Sequence, residues 1–278
     1  MIDLDVPTGA GTVHGYDTGP VGADELVVVW HHGTPNIGTP PGPLLALASS
    51  LGVRFVGFDR PGYGRSTAIP GRTVDVAASC TAAVLDALGV ERFAVISHSG
   101  GGPHALACAA LLGERVHAAA VISSLAPFHA TGLDWYAGMG PAGEATLRAA
   151  ASGRAARWRH EDVAGDGEPD FVDADREALR GEWGWFASVV GPALAAGPGP
   201  MIDDDLAYVR PWGFAVADVD APVLYLHGDA DRVVPSGHSI WLAEHTPTAE
   251  LWLSPGDGHI SVLHRAADAL RWLRATAP

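Results

Sequence analysis

Hydrophobic and polar positions follow two rhythms along the chain. Near the start, Ile2 to Val6 and Thr12 to Tyr16 alternate apolar with polar residues, and each is followed by glycine. That is the pattern of antiparallel edge strands. From residue 26 the rhythm changes to short apolar runs, Leu26–Trp30, Val53–Phe58, Phe93–Ile96, Ala118–Ile122 and Val223–Leu226, with a last strand at Glu250–Leu253. Such runs read as strands buried on both faces. Segments of helical character lie between them: one ending at Leu51, Val74–Leu88 stopped by Gly89, Pro103–Leu112, Ser236–Glu244 and Ile260–Arg274. The alternation predicts an α/β fold, with a mostly parallel eight-stranded sheet and helices on both faces.

Between Phe128 and Val216 the rhythm breaks. The stretch has no buried-strand run. It carries helical segments around Ala142–Arg159 and Asp173–Leu194, with glycine and proline at Gly197–Pro200. This predicts a helical lid inserted after the sixth strand, with 1–127 and 217–278 forming the core and 128–216 the lid. Trp135, Trp158, Trp183, Trp185 and Trp212 crowd this segment. They are expected either to line an apolar pocket or to pin the lid to the core. Asp203, Asp204 and Asp205 read as a solvated helix start.

Candidate chemistry sits where strands end. Val95-Ile96-Ser97-His98-Ser99-Gly100-Gly101 runs from a strand through a tight turn into a helix, with small residues two positions either side of Ser99. That is a nucleophile elbow in which Ser97 replaces the first glycine of G-x-S-x-G. His32-Gly33-Thr34 follows the first buried strand, where a second oxyanion donor belongs. The expected oxyanion hole is therefore the N–H groups of Gly100 and Thr34. Pro35 has no N–H to give.

An acidic residue is expected at the carboxyl edge of the sheet. The loop His227-Gly228-Asp229-Ala230-Asp231 offers two. Asp231 is the expected acid, with Asp229 its rival and Asp257 the next candidate. His259, at the end of Gly256-Asp257-Gly258, is the expected base. Serine, acid and histidine then occur in the chain order of an α/β-hydrolase triad.

Composition narrows the partners. The formal net charge is −15, from 17 basic against 32 acidic residues, which repels nucleic acid and anionic lipid surfaces. Two cysteines, Cys80 and Cys108, make neither a metal set nor a disulfide framework and are expected to be free and buried. The His31-His32 pair lacks partners at metal-ligand spacing. With no basic n-region before an apolar run and no apolar stretch of spanning length, the expectation is a cytoplasmic protein without membrane association.

Taken together, these residues resemble the lid-bearing α/β-hydrolase family, in the branch of serine esterases and cofactor-free haloperoxidase-like enzymes. The likeness rests on His32-Gly33-Thr34-Pro35, Asp59-Arg60-Pro61-Gly62-Tyr63-Gly64-Arg65-Ser66, the elbow at Ser97 to Gly101, the Gly228–Pro235 acid loop and Gly258-His259. It implies acyl transfer to water with no cofactor; the crowded tryptophans and the acidic charge, rather than the motifs, point to a small, uncharged, largely apolar carboxylic ester. Relatives that open epoxides or cleave carbon–halogen bonds carry aspartate where this chain has Ser99. Proline iminopeptidases carry His-Gly-Gly-Pro-Gly at the oxyanion loop. Some relatives place the acid after the strand preceding the lid, where this chain reads Ser123-Ser124. A lyase, a carbon–carbon bond hydrolase and a non-catalytic binding member of the fold remain alternatives. A charged substrate would need a basic anchor such as Arg154, Arg157, Arg159 or Arg210.

Overall fold

The computed structural model describes residues 1–164 and 167–277. Strands β1 (Ile2–Thr8), β2 (Gly11–Asp17), β3 (Leu26–His31), β4 (Val53–Phe58), β5 (Phe93–His98), β6 (Val116–Ile122), β7 (Val223–Gly228) and β8 (Ala249–Ser254) form one sheet. Their order is β1-β2-β4-β3-β5-β6-β7-β8. β1 pairs antiparallel with β2, and β2 antiparallel with β4; every other pairing is parallel. Only β1 of the first hairpin is an edge strand. β2 lies inside the sheet because Gly15–Asp17 takes up the free side of β4, so the expectation of two edge strands is corrected.

All residues of β3, β4, β5 and β7 are buried, as their apolar runs require. Alternate side chains serve two cores. Val27 and Val29 of β3, with Val95 and Val121, pack with Val84 and Leu85 of α2 (Val76–Ala87) and with Leu106 and Cys108 of α3 (Gly102–Leu111). Val28 and Trp30, with Ile96, Ile122 and Leu226, pack with Ala48 of α1 (Leu45–Ser50) and with Leu270 and Leu273 of α10 (Ala266–Thr276). The remaining core helix, α9 (Gly237–His245), lies between β7 and β8 in the chain. The chain leaves β3 for β4 on one side and returns to β5 on the other. Ligands of open α/β sheets collect above such a reversal, at the carboxyl ends of the strands.

Between β6 and β7 lies the helical insertion: α4 (Pro141–Ala151), α5 (Arg154–Ala164), α6 (Asp173–Arg180), α7 (Ala187–Leu194) and α8 (Gly199–Tyr208). The first expected lid helix is split at Gly153, whose φ of 102° a helix cannot hold. The second is split by a 3₁₀ segment, Glu182–Phe186.

Three tryptophans of the insertion are core residues. Trp135 and Trp212 join the α2–α3 side, and Trp183 the α10 side. Trp158 is 37% exposed on α5. The rings mostly pin the insertion to the sheet. Cys80 and Cys108 are free and buried. Among the described residues, no helix is long and apolar enough to cross a membrane.

Candidate active site

β5 delivers Ser99 to the rim of the sheet. Its φ is 56°, left-handed for a non-glycine residue, which is the strain expected of an elbow that lifts a hydroxyl clear of the backbone. The close approach behind it explains the small residues of the motif. A Cβ on Gly101 would collide with the carbonyls of His31 and His32 at the end of β3.

The three residues singled out as a triad meet here. The Ser99 Oγ lies 2.8 Å from His259 Nε2, and His259 Nδ1 lies 2.7 Å from Asp231 Oδ2. Asp231 and His259 are 4% exposed, whereas Ser99 is half-buried. The other oxygen of Asp231 accepts the N–H groups of Val233 and Val234 at 2.8 and 2.9 Å. Burial pushes the Asp231 carboxyl up, but the imidazoles of His259 and His227 outweigh burial and hold it well below the usual carboxylate range. A carboxylate against Nδ1 keeps the proton on that nitrogen, so Nε2 presents a lone pair to the serine hydroxyl.

The two rival carboxylates point elsewhere. Asp229 is exposed and accepts the Gly256 N–H at 2.7 Å, tying the acid loop to the base loop. Asp257 accepts from Ser254 Oγ at 2.6 Å and lies 3.5 Å from His264.

Two further histidines contact these three residues and do not stand out in the sequence. His227 places Nε2 at 2.7 Å from the Val234 carbonyl and 3.2 Å from Asp231 Oδ2. His98, next to Ser99, donates Nε2–H to the His259 carbonyl at 2.9 Å. Burial, and then the neighbouring His259, push the His98 imidazole down to about 3, so it stays neutral. The signal for His98 was its place inside the elbow. His227 carried none, because its partner lies across a turn.

On the opposite side stands the loop after β3. Gly33 and Thr34 lie against the elbow: a Cβ on Gly33 would stand 3.4 Å from Ser99 Cβ, and one on Gly100 would stand 2.7 Å from Thr34 Oγ1. The Gly33 carbonyl is held from behind by His32 Nδ1 at 2.8 Å and Arg60 Nη2 at 3.1 Å. In a trans peptide the carbonyl and the following N–H point in opposite directions. The Thr34 N–H therefore faces away from Arg60, and among the described residues it has no hydrogen-bond partner. Arg60 Nη1 also donates to the His32 carbonyl.

Arg60 is anchored by a carboxylate from the insertion. Asp204, on α8, is fully buried and accepts from Arg60 Nη2 at 2.6 Å, Thr34 Oγ1 at 2.6 Å and Tyr63 OH at 2.9 Å. Arg72 lies 2.7 Å away. Burial would raise the Asp204 carboxyl; Arg60 and Arg72 hold it well below its ordinary value. Tyr208, one turn further on, donates to the Gly100 carbonyl at 2.9 Å.

The expectation of a solvated Asp203–Asp205 start is thus overturned. All three are under 9% exposed; Asp203 pairs with Arg154, and Asp205 with Arg157 at 2.7 Å. Three adjacent acids look solvated because burying charge is costly. The arginines that offset the cost come from distant parts of the chain.

His31 and His32 diverge. His31 faces Cys108 Sγ at 3.4 Å, and His32 Nε2 accepts the Arg60 N–H at 3.1 Å. Among the described residues no group of histidine, cysteine or acidic side chains is arranged to hold a metal ion.

The comparisons with known proteins agree with this architecture. Residues 27–140 match the model of the α/β hydrolase fold family. A non-heme chloroperoxidase from Streptomyces lividans is 30% identical over 245 residues, covering 83% of each chain. A bifunctional esterase/perhydrolase from Acinetobacter calcoaceticus is 28% identical over 225 residues, 79% of this chain and 78% of the relative. The crystal structure of an esterase from Rhodococcus sp. superposes with a TM-score of 0.74 at 21% identity, covering the whole of both chains. The chain belongs to the α/β-hydrolase family, in its esterase and haloperoxidase-like branch.

Proposed function

We propose that this hydrolase is a serine esterase that cleaves small, uncharged carboxylic esters through an acyl-enzyme. The observation that carries the reading is the continuous chain from Ser99 Oγ to His259 to Asp231, at 2.8 and 2.7 Å, on a strained elbow. His259 takes the hydroxyl proton as Ser99 attacks the ester carbonyl. The N–H groups of Gly100 and Thr34 receive the oxyanion. His259 then protonates the leaving alcohol, and water repeats the sequence on the acyl-enzyme. Residues 128–216 act as the lid over this site.

Preference for an uncharged acyl group follows from the arginines. Arg60 is consumed by Asp204 and two loop carbonyls, and Arg154 and Arg157 by Asp203 and Asp205. These three are not free to anchor a substrate carboxylate; Arg159 and Arg210 are exposed, and the matched-ester comparison tests whether either serves a charged substrate. The test is a p-nitrophenyl ester chain-length series beside carboxylate-bearing esters of matched size, with fluorophosphonate labelling of Ser99. Turnover of neutral esters and labelling that Ser99→Ala abolishes are expected. A folded protein that neither labels nor turns over any ester is a binding member of the fold. Labelling without ester turnover points to lyase or carbon–carbon bond chemistry.

A further inference from the structure

The insertion reaches the base loop through one side chain that the proposed chemistry does not use. Asp175, on α6, is 1% exposed. Its Oδ1 accepts the N–H groups of Ile260 and Ser261, each at 2.8 Å, and the Ser261 hydroxyl at 3.0 Å. Its Oδ2 accepts the N–H of His259 at 3.1 Å and that of Val172, at the start of its own helix, at 3.2 Å. These five donors, three of them sharing Oδ1, saturate the roughly four acceptor sites of a carboxylate. Among the described residues no arginine or histidine pairs with it.

Burying an unpaired carboxylate is costly, and an apolar side chain would dock a helix more cheaply. What a carboxylate supplies, and an apolar residue does not, is orientation of three consecutive N–H groups beginning at His259. The other end of that residue is also fixed, since its carbonyl accepts from His98 in the elbow. The backbone of His259 is thus held between the insertion and the residue next to the nucleophile. Gly258 completes the contact, because a Cβ there would run into the Asp175 carboxylate.

We propose that Asp175 is a positioning residue for His259, fixing through the loop backbone the geometry in which Nε2 meets Ser99. The inference rests on reading His259 as the base. It makes α6 part of the catalytic framework, so that any opening of the insertion at α6 would dismantle the site.

The test uses the intact chain with a p-nitrophenyl ester. Asp175→Asn keeps the volume but replaces one acceptor oxygen with a donor that opposes the loop N–H groups. Misplacing a reacting group by about 1 Å costs on the order of 100-fold. A 10- to 100-fold fall in kcat is therefore expected. KM should stay within about threefold, because ground-state binding does not depend on the base. The downfield proton signal of the His259–Asp231 hydrogen bond should shift or broaden. If Asp175→Asn does not fold, Ser261→Ala carries the test: it removes one donor to Asp175, together with the acceptor of the Gly258 N–H, and a fall in kcat of roughly twofold to tenfold at unchanged KM is expected.

Wild-type kcat in folded Asp175→Asn, or in Ser261→Ala where that variant carries the test, overturns the role. So does a loss expressed in KM with the downfield signal intact. His259→Gln in the same series separates the two readings. If it remains active, the base assignment falls and the role of Asp175 with it. If it is inactive while Asp175→Asn turns over normally, only the role of Asp175 falls.

Discussion

The proposed base side and the proposed oxyanion side of the site are each fastened to the insertion by one buried carboxylate, but the two carboxylates are satisfied in different ways. Asp175 is surrounded by N–H and O–H donors alone. Asp204 sits between two guanidinium groups and also accepts from Thr34 and Tyr63. Removing the first charge leaves neutral donors without partners. Removing the second leaves two buried cations facing one another. The base side is therefore tuned through geometry and should fail in kcat. The oxyanion side is tied into the electrostatics of the fold and should fail first in stability.

Ser99 is where both sides converge, and its loss is the largest effect expected. Ser99→Ala should lower kcat by roughly 10⁴-fold or more while the melting temperature stays near wild type. Near-normal turnover in the folded variant would remove the nucleophile, and with it the meaning of the two sides. On the base side, Asp231→Asn should cost on the order of 10⁴-fold in kcat by mis-setting the His259 tautomer. Asp229→Asn, which only loosens a loop contact, should stay within about tenfold. Equal effects in steady-state assays would move the acid elsewhere.

For the oxyanion side, Asp204→Asn is expected to destabilise the protein by about 3–5 kcal/mol, the cost of breaking a buried ion pair from one end. Denaturant unfolding measures it. A loss below about 1 kcal/mol would fit a solvent-screened surface pair and erase the contrast with Asp175. Tyr208→Phe is a finer probe, since it deletes only a hydroxyl, the one that donates to the Gly100 carbonyl and lies 2.7 Å from Thr34 Oγ1. A kcat loss of about twofold to tenfold is expected, with a stability loss of about 0.5–1.5 kcal/mol, well short of that for Asp204→Asn.

The same contrast explains what could be read in the sequence. The sheet was legible because each strand solves its problem locally: Leu26–Trp30 or Phe93–Ile96 is apolar throughout and has nowhere to go but inside. Ser99 and Asp231 stood out because each follows such a strand, and His259 because it ends a glycine-rich loop after the last strand; the structure brings those three together. Residues whose meaning lies in pairing across the chain were not legible. Asp204 needs Arg60 and Arg72, and Asp175 needs the N–H groups of His259 to Ser261. Backbone donors leave no mark in a sequence. Arg60 was visible within Asp59-Arg60-Pro61-Gly62-Tyr63-Gly64, but as a motif without a task.

The smallest effect expected is a single proton, and it concerns buried groups that both sides keep neutral. His98 on the base side is pushed down to about 3, His104 beside Asp204 to about 4 and His238, within the field of His227 and Asp231, to about 4, in each case chiefly by burial. His31 and His32 are also held well below their ordinary value. An unfolded histidine titrates near 6.5. Between about pH 6.5 and 4 the unfolded chain therefore binds protons that the folded chain refuses. Stability is full above that window and falls as pH drops through it, by about 1.4 kcal/mol per pH unit for each such histidine. Asp205, pushed up to about 6 by burial, works in the opposite sense and cancels part of the slope. Asp231 and Asp204 act only at lower pH, because their folded values are depressed. His238 isolates one unit of this sum. Its Nδ1 accepts the Ala126 N–H at 3.0 Å and its Nε2–H donates to the Trp135 carbonyl at 2.9 Å. Glutamine offers one acceptor and one donor for the same two partners. His238→Gln should reduce the slope of unfolding free energy against pH between 6.5 and 4.5 by about one proton, with stability at pH 8 changed by no more than about 1 kcal/mol. An unchanged slope in urea titrations across that window would mean that His238 accepts its proton in the folded state.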